Sequence, residues 1–319
     1  MTINAFLFDV VFCGNAPSES LQKRKVQRFP LFVLWNLMDM ITRCYLEITN
    51  ICNLDCLFCP KTERVKHALS PEEFDRLTDR LQGKVKFLYF HLMGEPLLHA
   101  HLPQFITVAK EKGFIPVLTT NGTLLSRAGA VIDAVPYKVQ ISLHSHEGNA
   151  KENLQQYVEE VMEFSLKAAS KGTIVVLRLW NQGGYDSANC KIIELLEKYA
   201  NRPWDECRNG WRIADCIYLE FDRMFEWPDS GHDEYGQEAF CYALRNQIGV
   251  LVDGTVVPCC LDHNGELALG NLFELPLDEI LASPRARAIF EGFSRHEAVE
   301  SLCRRCGYAN VTKKYRQNS

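Results

Sequence analysis

The chain has 319 residues, of which 47% are hydrophobic and 24% charged, values that are ordinary for a soluble globular protein with one large domain or two unequal ones. A net charge of −5 gives no electrostatic footprint for nonspecific nucleic-acid binding, so we expect no nucleic-acid partner, with an RNA substrate held by a local patch as the alternative. No stretch is long and apolar enough to span a membrane, and the N-terminus lacks the pattern of a signal peptide. We therefore expect a cytoplasmic protein without a membrane partner.

Short β-rich runs and helical patterns alternate from residue 43 onward. Ser70-Pro71-Glu72-Glu73 predicts a helix start, with Ser70 as N-cap and Glu73 completing a capping box. Further helices are predicted over residues 101–112, 126–134, 151–171 and 188–200. Strands are predicted over residues 44–49, 85–91, 115–119, 138–143, 173–180 and 216–221, and a later hairpin over 248–257 turns at Asp253-Gly254.

Six strands separated by helices indicate parallel pairing with right-handed crossovers. Periodicity alone leaves open whether such units close into a barrel or form an open doubly wound sheet. In both folds, ligands gather at the carboxyl ends of the strands. A polar, turn-rich stretch over residues 226–237 then breaks the pattern. We predict an N-terminal extension over 1–42, a βα-repeat domain over 43–225 and a smaller C-terminal domain over 226–319.

Three cysteines follow the first predicted strand in the run CNLDCLFCP, residues 52–60. Cys52, Cys56 and Cys59 have the spacing C-x3-C-x2-C, which lets three thiolates of one loop hold three irons of a cubane iron–sulfur cluster. Such clusters normally take four cysteines, so the fourth iron would keep an open coordination position. A zinc knuckle or plain buried thiols are the alternatives for this loop. Because clustered cysteines in a reducing compartment favour metal over disulfides, we predict a metal site.

This cysteine loop, with Phe58 at its aromatic position, resembles the signature of the radical S-adenosylmethionine (SAM) enzymes. Further motifs occur in the family's order on the βα repeat, and the resemblance covers about residues 45–221. Met93-Gly94-Glu95-Pro96 resembles the family's GGEP motif, with Met93 in place of the first glycine. Thr120-Asn121-Gly122 resembles its TNG turn, and Ser142 ends the fourth predicted strand, where a serine commonly contacts SAM.

The resemblance implies an α/β fold, a partial (β/α)6 TIM-like barrel, with a 4Fe–4S cluster on Cys52, Cys56 and Cys59. It also implies that the open iron chelates SAM, that an electron cleaves SAM to a 5′-deoxyadenosyl radical, and that this radical abstracts hydrogen from a substrate. An external one-electron donor such as flavodoxin or ferredoxin is then required. The residues implied to bind SAM are Phe58, Gly94, Glu95, Pro96, Asn121, Ser142 and Arg178.

A second set of cysteines lies in the C-terminal region. The run from Gly254 to Cys259 matches the G-x4-C pattern of the small Twitch/SPASM-like auxiliary-cluster domains, and the resemblance implies a second 4Fe–4S cluster. Its predicted ligands are Cys241, Cys259, Cys303 and Cys306. Structural zinc is the alternative for four such thiols. Cys260 is a rival to Cys259 as ligand, and the G-x4-C spacing favours Cys259.

Several other polar residues near the predicted strand ends are weaker candidates. Arg178, Glu220, Asp222 and Cys260 are candidate catalytic residues, with a structural salt bridge as the alternative for Arg178. His144 and His146 follow Ser142 and are interpreted as surface histidines, with a position lining the pocket as the alternative. The dispersed cysteines are interpreted as buried small apolar residues, and they are Cys13, Cys44, Cys190, Cys207 and Cys216.

The sequence therefore predicts a radical SAM enzyme, of oxidoreductase type, that oxidises or rearranges a small polar metabolite or a peptide. Many relatives that modify peptides carry an added recognition domain, and residues 1–42 are too few for one, which favours a small molecule. One alternative is maturation of a ribosomal peptide by thioether formation or epimerisation. Another is a non-enzymatic metal-binding structural module.

Overall fold

The structure is a computed structural model that describes residues 41–147 and 153–310. The predicted extension over 1–42, all but its last two residues, and Cys13 lie outside the described residues. Eleven strands of the described part form one sheet in the order β11-β10-β9-β1-β2-β3-β4-β5-β8-β7-β6. The strand bounds are β1 Arg43–Leu46, β2 Phe87–Tyr89, β3 Ile115–Thr120, β4 Lys138–Ser142, β5 Ile174–Gln182, β6 Asp205–Cys207, β7 Gly210–Ala214, β8 Ile217–Arg223, β9 Gln247–Val250, β10 Thr255–Val257 and β11 Gly270–Asn271.

The predicted βα repeat is confirmed. β1, β2, β3, β4, β5 and β8 are neighbours in that order, and every pair among them is parallel. The fold is therefore a partial (β/α)6 TIM-like barrel. The helices of the described part are α1 Pro71–Leu81, α2 Leu102–Glu111, α3 Gly129–Ala134, α4 Leu154–Ser170, α5 Asn189–Leu196, α6 Leu277–Leu281, α7 Pro284–Ser294 and α8 Ser301–Arg304.

The start of α1 shows how local sequence sets an element boundary. Ser70 accepts a hydrogen bond from the Glu73 amide, and the Glu73 carboxylate accepts one from the Ser70 amide, as the predicted capping box requires. The apolar side of the helix then packs against α2, where the rings of Phe74 and Phe105 stack with centroids 4.0 Å apart. Capping and packing together fix α1 directly after the cysteine loop.

Strand alternation gives the sheet two different faces. Fully buried apolar side chains such as Leu46, Leu88 and Leu177 occupy one face. The side chains between them on the strands form the opposite face, called here the inner face, and it is strongly polar. Its members include Tyr45, Tyr89, His91, Gln140, Ser142, Arg178, Glu220 and Asp222. Polar groups are thus concentrated on the face that the apolar core leaves available.

A hairpin that the sequence pattern did not indicate extends one edge of the barrel. β6 and β7 pair antiparallel, and β7 pairs antiparallel with β8. All three residues of β6 are exposed, so the strand has no buried alternation from which it could be predicted. Aromatic contacts support the hairpin from β7, where Trp211 meets Phe221 edge to face at 5.3 Å between centroids.

The C-terminal region continues the barrel sheet. β9 pairs in parallel with β1, and the hairpin of β9 and β10 turns at Asp253-Gly254 as predicted. Gly254 has a φ of +83°, and a Cβ there would lie 2.5 Å from the Phe273 ring, so the turn requires glycine. β1 therefore lies between a barrel strand and a strand of the cysteine-rich region, which brings the two sets of cysteines toward each other.

Within the described ranges, no helix is long and apolar enough to cross a membrane.

Candidate functional site

The predicted ligands Cys52, Cys56 and Cys59 lie on an irregular loop at the carboxyl end of β1. Cys52 is exposed and the other two are half-buried. The Cys59 amide donates to the Cys56 carbonyl at 3.1 Å, and the Leu54 amide donates to the Cys52 sulfur at 3.4 Å. Burial raises the pKa of both Cys52 and Cys59 above the usual thiol value. Three soft sulfur donors on one accessible loop fit an iron–sulfur cluster with an open iron.

The turn formed by residues 93–96 packs directly on this loop. Gly94 has a φ of +78°, and a Cβ on it would lie 2.3 Å from the Thr49 carbonyl oxygen, so no other residue fits without movement. The Glu95 amide donates to the Ile51 carbonyl at 2.8 Å. Pro96 begins a short 3₁₀ turn, Pro96–Leu98, that follows. The close approach fixes the motif beside the cysteine loop.

The buried carboxylate of Glu95 links two motifs that are far apart in sequence. It accepts hydrogen bonds from the Leu97 amide at 2.9 Å, the Thr120 hydroxyl at 2.8 Å and the Asn121 amide at 2.7 Å. Burial outweighs these bonds and raises the pKa of Glu95 to about 7. Glu95 thus joins the 93–96 turn to the Thr120-Asn121-Gly122 turn at the end of β3.

Asn121 completes the connection back to the first cysteine. Its side-chain amide lies 3.9 Å from the Cys52 sulfur and donates to the Asn53 side chain at 3.0 Å. The Asn121 carbonyl accepts hydrogen bonds from the Ser145 and Tyr157 hydroxyls, each at 2.8 Å. The cysteine loop, the 93–96 turn and the Thr120-Asn121-Gly122 turn therefore meet at one end of the barrel.

A polar row crosses the inner face from β4 to β8. The strand register places Ser142 beside Arg178, and Arg178 beside Glu220. The Arg178 guanidinium lies over the Trp180 ring at 3.9 Å from its centroid. Asp222 lies two residues beyond Glu220; burial raises its pKa, and the charge of Arg178 opposes that shift. Ser142, Arg178, Glu220 and Asp222 thus share one face of the sheet.

Two histidines lie on this face. The position of His144 differs from the sequence interpretation, and His91 was not singled out from the sequence. His144 is not a surface residue: its ring lies 5.2 Å from that of Phe58, and burial lowers its pKa to about 4. His91 contacts Tyr45 edge to face, with centroids 5.4 Å apart, and its buried Nδ1 atom has no hydrogen-bond partner among the described residues. Burial lowers the pKa of His91 to about 3, so it is neutral at physiological pH. Its position at the end of β2 was the only sequence signal that could have singled it out.

The four predicted auxiliary ligands come together in the C-terminal region. Burial raises the pKa of Cys259 well above the usual thiol value, and the nearby thiols of Cys241, Cys260, Cys303 and Cys306 add to that shift. The Cys306 amide donates to the Cys303 carbonyl at 3.3 Å, which makes this pair one turn. Four soft donors, of which Cys306 is buried and the other three are half-buried, fit a fully ligated cluster.

Cys260 occupies the space between the two sets of cysteines. Cys260 and Cys59 both pack against one apolar cluster formed by Leu92, Met93, Leu251 and Val257. Burial raises the pKa of Cys260 to about 12, while a hydrogen bond with Tyr45 and the charge of Arg178 lower it. The thiol therefore lies near inner-face residues of the barrel and also near the auxiliary thiol Cys306.

No three His, Cys, Asp or Glu side chains within residues 41–147 and 153–310 are arranged to hold a metal ion. A cubane cluster separates its thiolates more widely than one ion does, so the seven cysteines stay predicted cluster ligands.

The dispersed cysteines only partly follow the sequence interpretation. Cys44 is buried in β1, as predicted, and Cys216 is half-buried. Cys190 and Cys207 are exposed, so their interpretation as buried residues is wrong. Cys207 lies on the fully exposed edge strand β6, and Cys190 is in the first turn of α5, ahead of that helix's buried residues. Neither side chain has a core to enter.

Comparison with known proteins agrees with this architecture. Residues 46–201 match the radical SAM superfamily, and residues 241–307 match SPASM, an iron–sulfur cluster-binding domain. The chain therefore carries a radical SAM domain followed by a C-terminal SPASM domain. The two domains imply 4Fe–4S clusters and SAM as cofactors.

Individual relatives match this chain either over a small part of their length or at low sequence identity. The chain is 32% identical over 122 residues to Fe-coproporphyrin III synthase of Methanosarcina barkeri, a match that covers 37% of this chain and only 31% of that protein. It is 23% identical over 288 residues to the SAM-dependent 2-deoxy-scyllo-inosamine dehydrogenase of Niallia circulans, covering 83% and 92% of the two chains. Among solved structures, native anSMEcpe with bound AdoMet and the Cp18Cys peptide superposes with a TM-score of 0.56 at 14% identity, covering 83% and 88%.

Proposed function

We propose that the protein is a two-cluster radical SAM enzyme that oxidises or rearranges a small polar molecule. When bound, SAM and the open cluster supply reductive cleavage to a 5′-deoxyadenosyl radical, which abstracts hydrogen from the substrate. The observation that carries the proposal is that the polar inner face lies next to the cysteine loop and to Cys260 of the C-terminal region. Cys59 and Cys260 pack on the same apolar cluster, and Cys260 is hydrogen-bonded to Tyr45 of that face.

The chain's own residues would hold the cofactors as follows. Cys52, Cys56 and Cys59 would bind the first cluster, and Cys241, Cys259, Cys303 and Cys306 the second. Glu95 lies beside the cysteine loop and would accept a hydrogen bond from the ammonium group of SAM. Its carboxylate oxygens retain acceptor capacity beyond the three hydrogen bonds that they already make.

The inner face would bind and orient the substrate. Arg178 supplies a fixed positive charge beside Ser142 and Glu220, which suits a carboxylate of SAM or of the substrate. Cys260 and Asp222 lie within the electrostatic reach of Arg178, which makes them candidates for holding a substrate proton. A polar, multiply hydrogen-bonded small molecule fits this lining.

Two relatives suggest different substrates. The dehydrogenase from Niallia circulans matches nearly its whole length and, by its name, oxidises a small amino-cyclitol, which supports a small molecule and net oxidation. The anSMEcpe structure holds a peptide, which supports peptide modification as the second candidate. In the first case the auxiliary cluster would accept the substrate's second electron. An external one-electron donor such as flavodoxin or ferredoxin would reduce the first cluster in both.

The test is anaerobic reconstitution followed by reduction with dithionite in the presence of SAM. We expect release of 5′-deoxyadenosine, with deuterium transfer into it from a deuterated polar substrate. Candidate aminocyclitols and candidate precursor peptides would be assayed in parallel, and turnover of peptides alone would replace the first candidate by the second. Absence of 5′-deoxyadenosine from protein that holds a full complement of iron would contradict the proposed chemistry.

A further inference from the structure

Glu47 is a fully buried carboxylate at the carboxyl end of β1, five residues before Cys52. Its two oxygens receive four hydrogen bonds. Arg64 donates two of them, at 2.7 and 2.8 Å, in a bidentate pair. The Met93 amide donates at 3.1 Å and the Val252 amide at 2.9 Å. An ionised carboxylate has about four acceptor sites, so the hydrogen-bonding capacity of Glu47 is fully used.

These four bonds join three separate segments of the chain. Arg64 lies on the returning arm of the loop that carries the three predicted cluster thiols. Met93 begins the turn that contains Gly94 and Glu95. Val252 lies in the hairpin of the C-terminal region, just before its turn. One buried carboxylate therefore connects the cysteine loop, the turn predicted to bind SAM and the auxiliary region.

Arg64 makes a second connection to the auxiliary region. Its Nε donates to the His263 carbonyl at 2.9 Å, and the preceding Thr62 hydroxyl donates to the Asn264 side chain at 2.9 Å. The base of the loop is closed separately by Asn50, whose side chain binds the Val65 carbonyl and the His67 amide, each at 2.8 Å. The arm of residues 62–64 is thus held from outside the loop.

We infer that Glu47 and Arg64 are positioning residues that set the cysteine loop in register with the 93–96 turn, using the auxiliary region as the support. A buried, bidentate ion pair keeps one geometry because a charge left alone in the interior is strongly disfavoured. The effect on SAM rests on the proposed function, whereas the mechanical connection does not. The auxiliary region then serves the first site as a brace, independently of any electron that it accepts.

The exposed ion pair of Lys84 and Asp278 offers a matched control. It also connects the barrel to the C-terminal region, but its side chains are 41% and 67% exposed. Exposed pairs are screened by water and contribute little. Asp278→Asn therefore removes a charged contact between the same two parts of the chain without touching the arm of residues 62–64.

The experiment compares Arg64→Met, Asn264→Ala and Asp278→Asn in the reconstituted full-length protein. The rate of amide hydrogen exchange at Met93 and Val252 measures whether their hydrogen bonds to Glu47 persist. SAM affinity is measured from the change in the cluster's electron paramagnetic resonance spectrum. In Arg64→Met we expect faster exchange at both amides and SAM affinity weaker by about 10- to 100-fold, with iron content retained. Asp278→Asn is expected to match the wild type in all three measurements.

Wild-type exchange and wild-type SAM affinity in Arg64→Met would overturn the inference. If Arg64→Met does not fold, Asn264→Ala decides, because it removes only half-exposed hydrogen bonds. SAM affinity weaker by about 2- to 10-fold than in Asp278→Asn would support the inference, and equal affinity would overturn it. Lack of 5′-deoxyadenosine in every protein, with faster amide exchange in Arg64→Met, would overturn the proposed function and leave the brace standing.

Discussion

The two cysteine-bearing regions differ in exposure and in the number of thiols they offer. The loop after β1 has three, of which Cys52 is exposed and none is buried. The C-terminal region has five, four of which are the predicted auxiliary ligands; among these four, Cys306 is buried and none is exposed. An incomplete and accessible ligand set suits a cluster that binds a cosubstrate, whereas a complete and enclosed set suits electron transfer or bracing. The contrast teaches that the same residue type can serve two roles through its surroundings.

The largest expected effect comes from removing one thiol of the accessible set. Cys56→Ala should abolish 5′-deoxyadenosine formation, because two thiolates do not hold the cubane. The iron content should fall from about eight to about four per chain, since the enclosed set is untouched. The measurement is iron and acid-labile sulfide per chain together with product analysis. Full iron content and wild-type product formation in this variant would contradict the assignment of Cys56 as a ligand of the accessible cluster.

A smaller but substantial effect is expected on stability. Arg64→Met leaves the buried Glu47 carboxylate without its counter-charge, which should lower the free energy of unfolding by about 3–5 kcal/mol. Lys84→Met, at the exposed pair with Asp278, should change it by less than about 1 kcal/mol. Urea denaturation of both variants at pH 7.5 measures the difference. Equal stability losses in the two variants would contradict a special role for the buried pair.

The pH dependence of stability tests the buried position of Glu95. Its pKa rises from 4.5 to about 7 on folding because of burial, so the folded protein keeps a proton that the unfolded chain releases in this range. Glu95 therefore contributes stability below pH 4.5 that is lost as the pH rises through about 7, on the order of 3 kcal/mol. Urea midpoints of the metal-free protein between pH 4.5 and 7.5 should show this loss, and Glu95→Gln should remove it. Parallel profiles for the two proteins would refute the assignment.

The smallest change in iron content is expected for substitution of Cys260. This substitution tests which thiols of the C-terminal region bind the auxiliary cluster. Cys260 is hydrogen-bonded to Tyr45 and lies near both Arg178 and Cys306, whereas Cys259 is surrounded by the other thiols of the C-terminal region. Cys260→Ser should therefore keep about eight irons per chain, and Cys259→Ser should keep about four. Iron analysis of the two variants is the measurement. The reverse result would make Cys260 the ligand and exclude it as a substrate-facing thiol.

Much of the fold could be predicted because each element has its own local signal. The α1 start is encoded in four consecutive residues, and the hairpin turn at Asp253-Gly254 depends on a glycine with positive φ. β6 could not be predicted, because its three residues are all exposed and its stability comes from pairing with β7. Local sequence does not encode a strand whose support comes entirely from a neighbouring strand.

The candidate site also contains residues that the sequence predicted and residues that it did not. The order of the cysteine, Gly94-Glu95-Pro96 and Asn121 motifs predicted that they meet, because each follows a parallel strand. Glu47, Arg64 and His91 carry no such motif, and their positions depend on long-range contacts. Glu47 becomes a junction only when Met93 and Val252, which are 46 and 205 residues away, reach it in the folded chain. A contact of that kind is invisible in a single sequence.

The central claim is that one chain holds an open and a closed cluster for radical chemistry. The most direct measurement is iron, zinc and sulfide content after anaerobic reconstitution, with 5′-deoxyadenosine assayed after reduction in the presence of SAM. The account predicts a brown protein with about eight irons and eight sulfides per chain that releases 5′-deoxyadenosine. A colourless zinc protein that leaves SAM intact would contradict it.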